Sequence, residues 1–196
     1  MPTTTLRALN GLDDTPASLA GSTLVLVDYQ NTYVGGVMEL DGWREALDSA
    51  ADLLARARAA GTTVIHVVND GGPDTPYDIR AEIGAVHPSV APAEGEPVVV
   101  KTTPDAFAGT DLAAHVDAAG HQDVIVIGFM THMCVLATTM GAFRRGNRPT
   151  VVADACATRP LSAAGTDLTA AQIHHGALAT IGDLYGVVVP SGKSLT

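Results

Sequence analysis

A chain of 196 residues, 46% of them apolar and only 4% aromatic, has the size of one domain and enough aliphatic mass for a single core, which excludes a disordered chain. Its formal net charge of −10 argues against nucleic acid or an anionic membrane surface as partner, because both need basic surface. Two cysteines, Cys134 and Cys156, are too few for a disulfide framework. Residues 1–21 show no basic segment followed by an apolar stretch, and no apolar run is long enough to span a bilayer, so the expected compartment is a reducing cytoplasm.

In chain order, "STLVLVDY" (22–29) reads as a strand followed by a glycine-rich loop. "WREALDSAADLLARARAAG" (43–61) repeats apolar residues at helical spacing and stops at Gly61. "TTVIHVVND" (62–70) is the next strand, and residues 71–96 form a long Gly- and Pro-rich loop with one short helical turn. "PVVVKT" (97–102) is strand-like, "TDLAAHVDAAG" (110–120) helical, and "QDVIVIGF" (122–129) the most apolar strand. "THMCVLATTMGAFRRG" (131–146) reads as a helix with Thr131 as its cap and arginines in its last turn, where they suit the dipole. "RPTVVADAC" (148–156) is a strand, "LTAAQIHHGALATIGDLYG" (168–186) a helix, and "YGVVVP" (185–190) a last strand.

Continuous Val/Ile runs indicate strands buried on both faces, hence a mostly parallel sheet. Alternation with helices predicts a doubly wound α/β domain of Rossmann-like, three-layer type: a six-stranded sheet with helices on both faces. It is expected to occupy residues 1–196 as one domain, with 1–21 as an N-terminal extension. The 71–96 loop is the one anomaly, and long loops in compact domains tend to be functional.

In such a sheet, ligands bind beyond the carboxyl ends of the strands. The polar residues there are Asp28, Gln30 and Asn31; Asn69 and Asp70; Lys101 and Asp105; Thr131, His132 and Cys134; Asp154 and Cys156. Cys134, in the first turn of a helix, has two readings. It is a small buried filler, as free cysteines commonly are, or a nucleophile whose thiolate the helix start stabilises, with unpartnered N–H groups able to hold an oxyanion. Asp28 reads as a turn residue, a base, a metal ligand or a phosphate-transfer nucleophile. The last would need a second aspartate where Gln30 stands. Lys101 is a solvated lysine or a charge placed at the site. "DYQNTYVGG" lacks the Gly-x-Gly-x-x-Gly turn of a dinucleotide-binding oxidoreductase.

Taken in order, "LVLVDYQNTYV", "VVVKTTPDAFAGTDL", "VIGFMTHMCVLATTMGAFRRG" and "TVVADACATR" resemble the isochorismatase-like cysteine hydrolases, the superfamily of nicotinamidases, N-carbamoylsarcosine amidases and related amidohydrolases. The resemblance spans about residues 22 to 190. It implies a catalytic triad of Asp28, Lys101 and Cys134, and a cis peptide between Phe129 and Met130. It also implies an oxyanion hole from the backbone N–H groups of Met130 and Cys134. The implied activity is hydrolysis of a C–N bond in a small amide, lactam or carbamoyl substrate through a thioester. The alternatives are isochorismatase-type vinyl ether hydrolysis, which can dispense with the cysteine, and a catalytically silent binding module. A homo-oligomer, dimer or larger, is implied as well.

Nicotinamidases carry an Asp-x-His motif and a further histidine in the loop after the second strand, where they bind a metal. Here that loop offers Asp70, Asp74, Asp78 and His87 without that motif, a poor zinc set. No metal or other cofactor is expected, and His87 reads as a loop residue. Candidate substrate contacts are Gln30, Asn31, Tyr33, Phe107 and His132, with His132 equally readable as a surface residue. His66 reads as a satisfied core histidine and Cys156 as a small packed hydrophobe.

Overall fold

A computed structural model describes residues 3–196. The regular elements are α1 (Leu6–Leu9), β1 (Ser22–Val27), α2 (Trp43–Ala60), β2 (Thr63–Asn69), β3 (Val98–Lys101), α3 (Leu112–Ala119) and β4 (Asp123–Phe129). They continue with α4 (Leu136–Arg144), β5 (Arg148–Ala157), β6 (Leu161–Ala163), β7 (Thr166–Leu168), α5 (Ala170–Thr180) and β8 (Val187–Val189). Six strands form one parallel sheet in the order β3-β2-β1-β4-β5-β8. The chain runs outward from β1 in one direction and then restarts at β4 in the other. The two halves meet between β1 and β4, the switch point where a doubly wound sheet opens a crevice.

The aliphatic runs supply both faces. Leu24 and Leu26 of β1 meet Leu47, Leu53 and Leu54 of α2, while Val25 and Val27 face Leu112 and Val116 of α3 and Leu178 of α5. This alternation, with every β1 residue buried, is the two-sided burial the runs predicted. β3 departs from it. Val99 and Lys101 point inward, but Val98 and Val100 remain 47% and 46% exposed, because β3 is the sheet edge and no helix covers its outer half.

Element ends follow local chemistry. Gly61 and Gly120 close α2 and α3 in left-handed conformation. The expected helix over 168–186 starts later, at Ala170, behind a Thr169/Gln172 capping box. Residues 161–168 instead form a β6–β7 hairpin, since Ala164 and Gly165 both take positive φ, as two-residue hairpin turns require. The N-terminal segment is not loose. Ala17 and Leu19 are buried, the Ala17 N–H donates to Thr150 Oγ1, and the Leu19 N–H donates to the Thr196 carbonyl. Among the described residues no helix is long and apolar enough to cross a membrane.

Gly128 is required by the switch point. Its φ is +145°, and a Cβ there would lie 2.0 Å from the Val27 carbonyl oxygen. Neither atom can retreat, since Val27 pairs with Gly128 in register. Gly128→Ala is therefore expected to lower unfolding free energy by at least about 2 kcal/mol, measured by urea denaturation. An unchanged midpoint would show that the two strands can part without cost.

Candidate active site

Asp28, Lys101 and Cys134 come from three separate strand ends and meet beside the β1–β4 switch point. Asp28 follows β1 in a left-handed conformation, φ 55°, with its N–H donated to the Val67 carbonyl at 2.9 Å. Aspartate tolerates that region better than most residues. Lys101 is the inward-facing last residue of β3. Cys134 lies in a π-helical turn, Thr131–Val135, that joins β4 to α4. Lys101 Nζ stands 2.7 Å from Asp28 Oδ2 and donates to Cys134 Sγ at 3.3 Å and to Asn69 Oδ1 at 3.3 Å. Asp28 and Lys101 are 0% and 1% exposed. The Lys101–Asp28 contact is a close ion pair rather than an aligned hydrogen bond, and neither Asp28 oxygen has an aligned donor.

Electrostatics correct one expectation. Burial pushes the Cys134 thiol up to about 12, Asp28 pushes it the same way, and Lys101 offsets only part. The resting group is therefore a thiol, not the thiolate expected of a helix start. Burial also raises the Asp28 carboxyl above its ordinary range despite Lys101. That makes Asp28 a stronger base than a surface aspartate. For Lys101 burial acts downward, but Asp28 and Cys134 outweigh it, so the ammonium is held above its usual value. A 2.7 Å contact sealed from water fits the charged pair, so we take Asp28 as carboxylate and Lys101 as ammonium.

The Phe129–Met130 peptide is cis. Among the described residues the Met130 N–H has no hydrogen-bond partner, and the Met130 carbonyl accepts from Met133 and Val135 rather than from Cys134. Thr131 does not cap the helix. It donates to the Ala157 carbonyl at 3.1 Å and stands 2.9 Å from His174 Nδ1, tying this turn to β5 and α5.

The substrate-contact candidates separate into three groups. Gln30 is fully buried and its amide is spent on the Asn69 backbone and the Gly84 carbonyl, while Asn31 donates to the Glu82 carbonyl. Both hold the 71–96 loop against β1 and β2 instead of facing a ligand. Phe107 packs toward the far end of α4, its ring 5.4 Å from the guanidinium carbon of Arg145, a residue about 16 Å along the helix from Cys134. Tyr33 is buried against Phe129 and Tyr77, and the charges of Asp28 and Cys134 act on it. His132 stands 2.5 Å from Thr158 Oγ1 through Nδ1. Two residues near the triad, Tyr77 and Arg159, escaped the sequence reading, and Asn69 was placed at its strand end without a role. Tyr77 sits in a loop whose path is not legible in sequence, and Arg159 lies just past the end of β5. His66 is buried against Glu96 at 2.9 Å, and His87 Nδ1 accepts from the Ser89 N–H. Among the described residues no group of three or more His, Cys, Asp or Glu side chains could hold a metal ion.

Residues 22–183 match the isochorismatase domain. The chain belongs to the isochorismatase family. A crystal structure of an isochorismatase from Pseudomonas putida KT2440 superposes with a TM-score of 0.95 at 38% identity, covering 100% of both chains. A streptothricin hydrolase of Streptomyces noursei is 41% identical over 72% of this chain and 51% of its own length. A maleamate amidohydrolase of Pseudomonas putida is 32% identical over 66% of this chain and 68% of its own. Hydrolysis of non-peptide carbon–nitrogen bonds is the activity class that this family membership and these relatives give the chain.

Proposed function

We propose that this isochorismatase-family protein is a cysteine amidohydrolase that opens a small amide, lactam or carbamoyl group through a thioester on Cys134. The observation that carries the reading is the sealed constellation of thiol, carboxylate and ammonium at one strand-end crevice. Asp28 takes the Sγ proton as sulfur attacks the carbonyl carbon. The C–S bond forms, and the carbonyl oxygen becomes an oxyanion that the N–H groups of Met130 and Cys134 receive. Asp28 returns the proton to the departing nitrogen, and the C–N bond breaks to leave a thioester. Water then attacks. Asp28 takes its proton and gives it to the leaving sulfur, releasing the acid and restoring the thiol. Lys101 keeps Asp28 ionised and favours charge on sulfur. A homo-oligomer is part of this reading, supported by the exposed apolar residues Leu9, Val98 and Val100 outside the site.

Both thiols are pushed up to about 12, so exposure to base does not separate them. Their neighbours do. Cys134 has an ammonium at 3.3 Å, while Cys156 donates to the Val152 carbonyl at 3.3 Å. One equivalent of iodoacetamide is expected to modify Cys134 first, faster as pH rises toward 12, and to abolish amide hydrolysis in step. Activity lost with the label on Cys156 would overturn the assignment. A fully labelled Cys134 with activity retained would favour vinyl ether hydrolysis or a ligand-binding role.

A further inference from the structure

Thr131 opens the turn that carries Cys134, and it is 0% exposed. Its hydroxyl meets two groups, the Ala157 carbonyl at 3.1 Å and His174 Nδ1 at 2.9 Å. A hydroxyl has one proton to give, and a carbonyl can only accept. The Thr131 proton therefore belongs to Ala157, and His174 Nδ1 carries a proton of its own that it donates to Thr131 Oγ1. The reverse assignment would set the hydroxyl and carbonyl oxygens against each other with no proton between them, in a place closed to water.

The imidazole suits that task. His174 is half-buried on α5, and burial first, then neighbouring His175, hold it below its ordinary pKa. The ring is then neutral near pH 7 and has a single N–H, which the Thr131 contact places on Nδ1. Nε2 has no hydrogen-bond partner among the described residues and is not sealed from solvent. The helix beneath it is well anchored. The Thr169/Gln172 capping box fixes its start, and Ala170, Ala177 and Leu178 bury its inner side. His175 turns back on this same helix, with Nδ1 2.7 Å from the Ala171 carbonyl. His174 instead reaches across to the turn.

That turn depends on outside support. The bonds that the Met130 carbonyl accepts, from Met133 and Val135, are internal to it, and no side chain caps its start. Thr131 ties it to β5, and His174 fixes the Thr131 hydroxyl. A second link, from His132 to Thr158, follows one residue on. Thr131 stands between the two N–H groups of the proposed oxyanion hole, one residue after Met130 and three before Cys134.

We infer that His174 is a positioning residue for the oxyanion hole: its Nδ1–H holds Thr131, and through Thr131 it sets the Met130 and Cys134 N–H groups toward one point. The inference rests on the proposed thioester chemistry and adds a support borne on α5.

Two readouts test it. Nitrogen-15 NMR of the histidine side chains, with the His174 signal assigned by its loss in His174→Asn, shows which ring nitrogen is protonated. The Nδ1–H form is expected, and Thr131→Val should release that preference. The second readout compares two reagents at Cys134. p-Nitrophenyl acetate acetylates Sγ through a tetrahedral oxyanion: the S–C bond forms, the C–O bond breaks, p-nitrophenolate leaves with the electron pair, and the thiol proton passes to Asp28. Iodoacetamide alkylates the same sulfur by displacing iodide, with no oxyanion. His174→Leu and His174→Gln are expected to slow acetylation by about 10- to 100-fold, the scale of a small displacement of reacting groups, and to leave alkylation nearly unchanged. His174→Asn should recover most of the lost rate, because its amide nitrogen stands as many bonds from Cβ as Nδ1 does, whereas that of glutamine stands further. Melting curves check that the variants fold. An Nε2–H ring at His174, unaltered acetylation in His174→Leu, or acetylation and alkylation slowed in equal measure overturns the inference. No acetyl transfer to Cys134 of the unaltered protein, with His174 in the Nδ1–H form, would sink the thioester reading and leave the His174–Thr131 link standing.

Discussion

Asp28→Asn is expected to cut turnover by about 10²- to 10⁴-fold, the usual worth of a general base, with much less effect on KM. The substitution is close to isosteric, and asparagine accepts the left-handed backbone that Asp28 adopts at φ 55°. What it removes is the acceptor for the Cys134 proton. Because the thiol sits at about 12, sulfur cannot act at neutral pH unless a neighbour takes that proton during attack. The pH profile separates this role from a structural one. The Asp28 carboxyl is raised by burial, so activity in the unaltered protein should fall on the acid side at a pH above the ordinary carboxylate range. In Asp28→Asn that limb should vanish along with the rate. Turnover within tenfold of the original, with the acid limb intact, would move the base elsewhere, His132 being the titratable neighbour to examine.

Lys101→Ala should damage both stability and chemistry. It leaves the Asp28 carboxylate buried at 0% exposure without its cation, and breaking a buried pair from one side costs about 3–5 kcal/mol. The sign of the pH dependence follows from the Asp28 shift. Without Lys101, the influence that lowers the carboxyl is gone, and burial raises it further. A group raised in the folded state contributes stability below its unfolded pKa and loses it as pH rises through the folded value. The deficit of Lys101→Ala relative to the original protein should therefore be small in acid and widen as pH rises. Urea denaturation across that range measures it. The same change removes the cation that lowers the Cys134 thiol, so iodoacetamide alkylation at a given pH should slow. An unchanged alkylation profile with pH-independent stability would reduce Lys101 to an ordinary strand-end residue.

The parts of this site that were legible in sequence share a cause. A polar residue that interrupts or ends a Val/Ile run is forced to the sheet edge by burial of the run itself, and Asp28, Lys101 and Cys134 all stand at such ends. Adjacency in sequence misled where the backbone turns. Gln30 is two residues from Asp28, yet the left-handed Asp28 conformation sends the two side chains apart, and Gln30 locks the loop at Asn69 and Gly84. Phe107 follows Lys101 closely in the chain but packs at the other end of α4. The β6–β7 hairpin went unread because residues 161–167 carry no strong periodicity, and only the paired positive φ values of Ala164 and Gly165 reveal the turn.

The strand order has a kinetic corollary. β1 is flanked by β2 and β4, so the centre of the sheet cannot close until residues far apart in the chain have found one another. Parallel pairings of that span form late and slowly. Asp28 and Cys134 lie on either side of that closing seam, with Lys101 one strand beyond β2. The β1–β3 half can bring Asp28 and Lys101 together by itself, and Cys134 waits on the seam. The reactive thiol therefore meets its base only in the finished domain, and partly folded chains carry a cysteine with neither cation nor proton acceptor beside it.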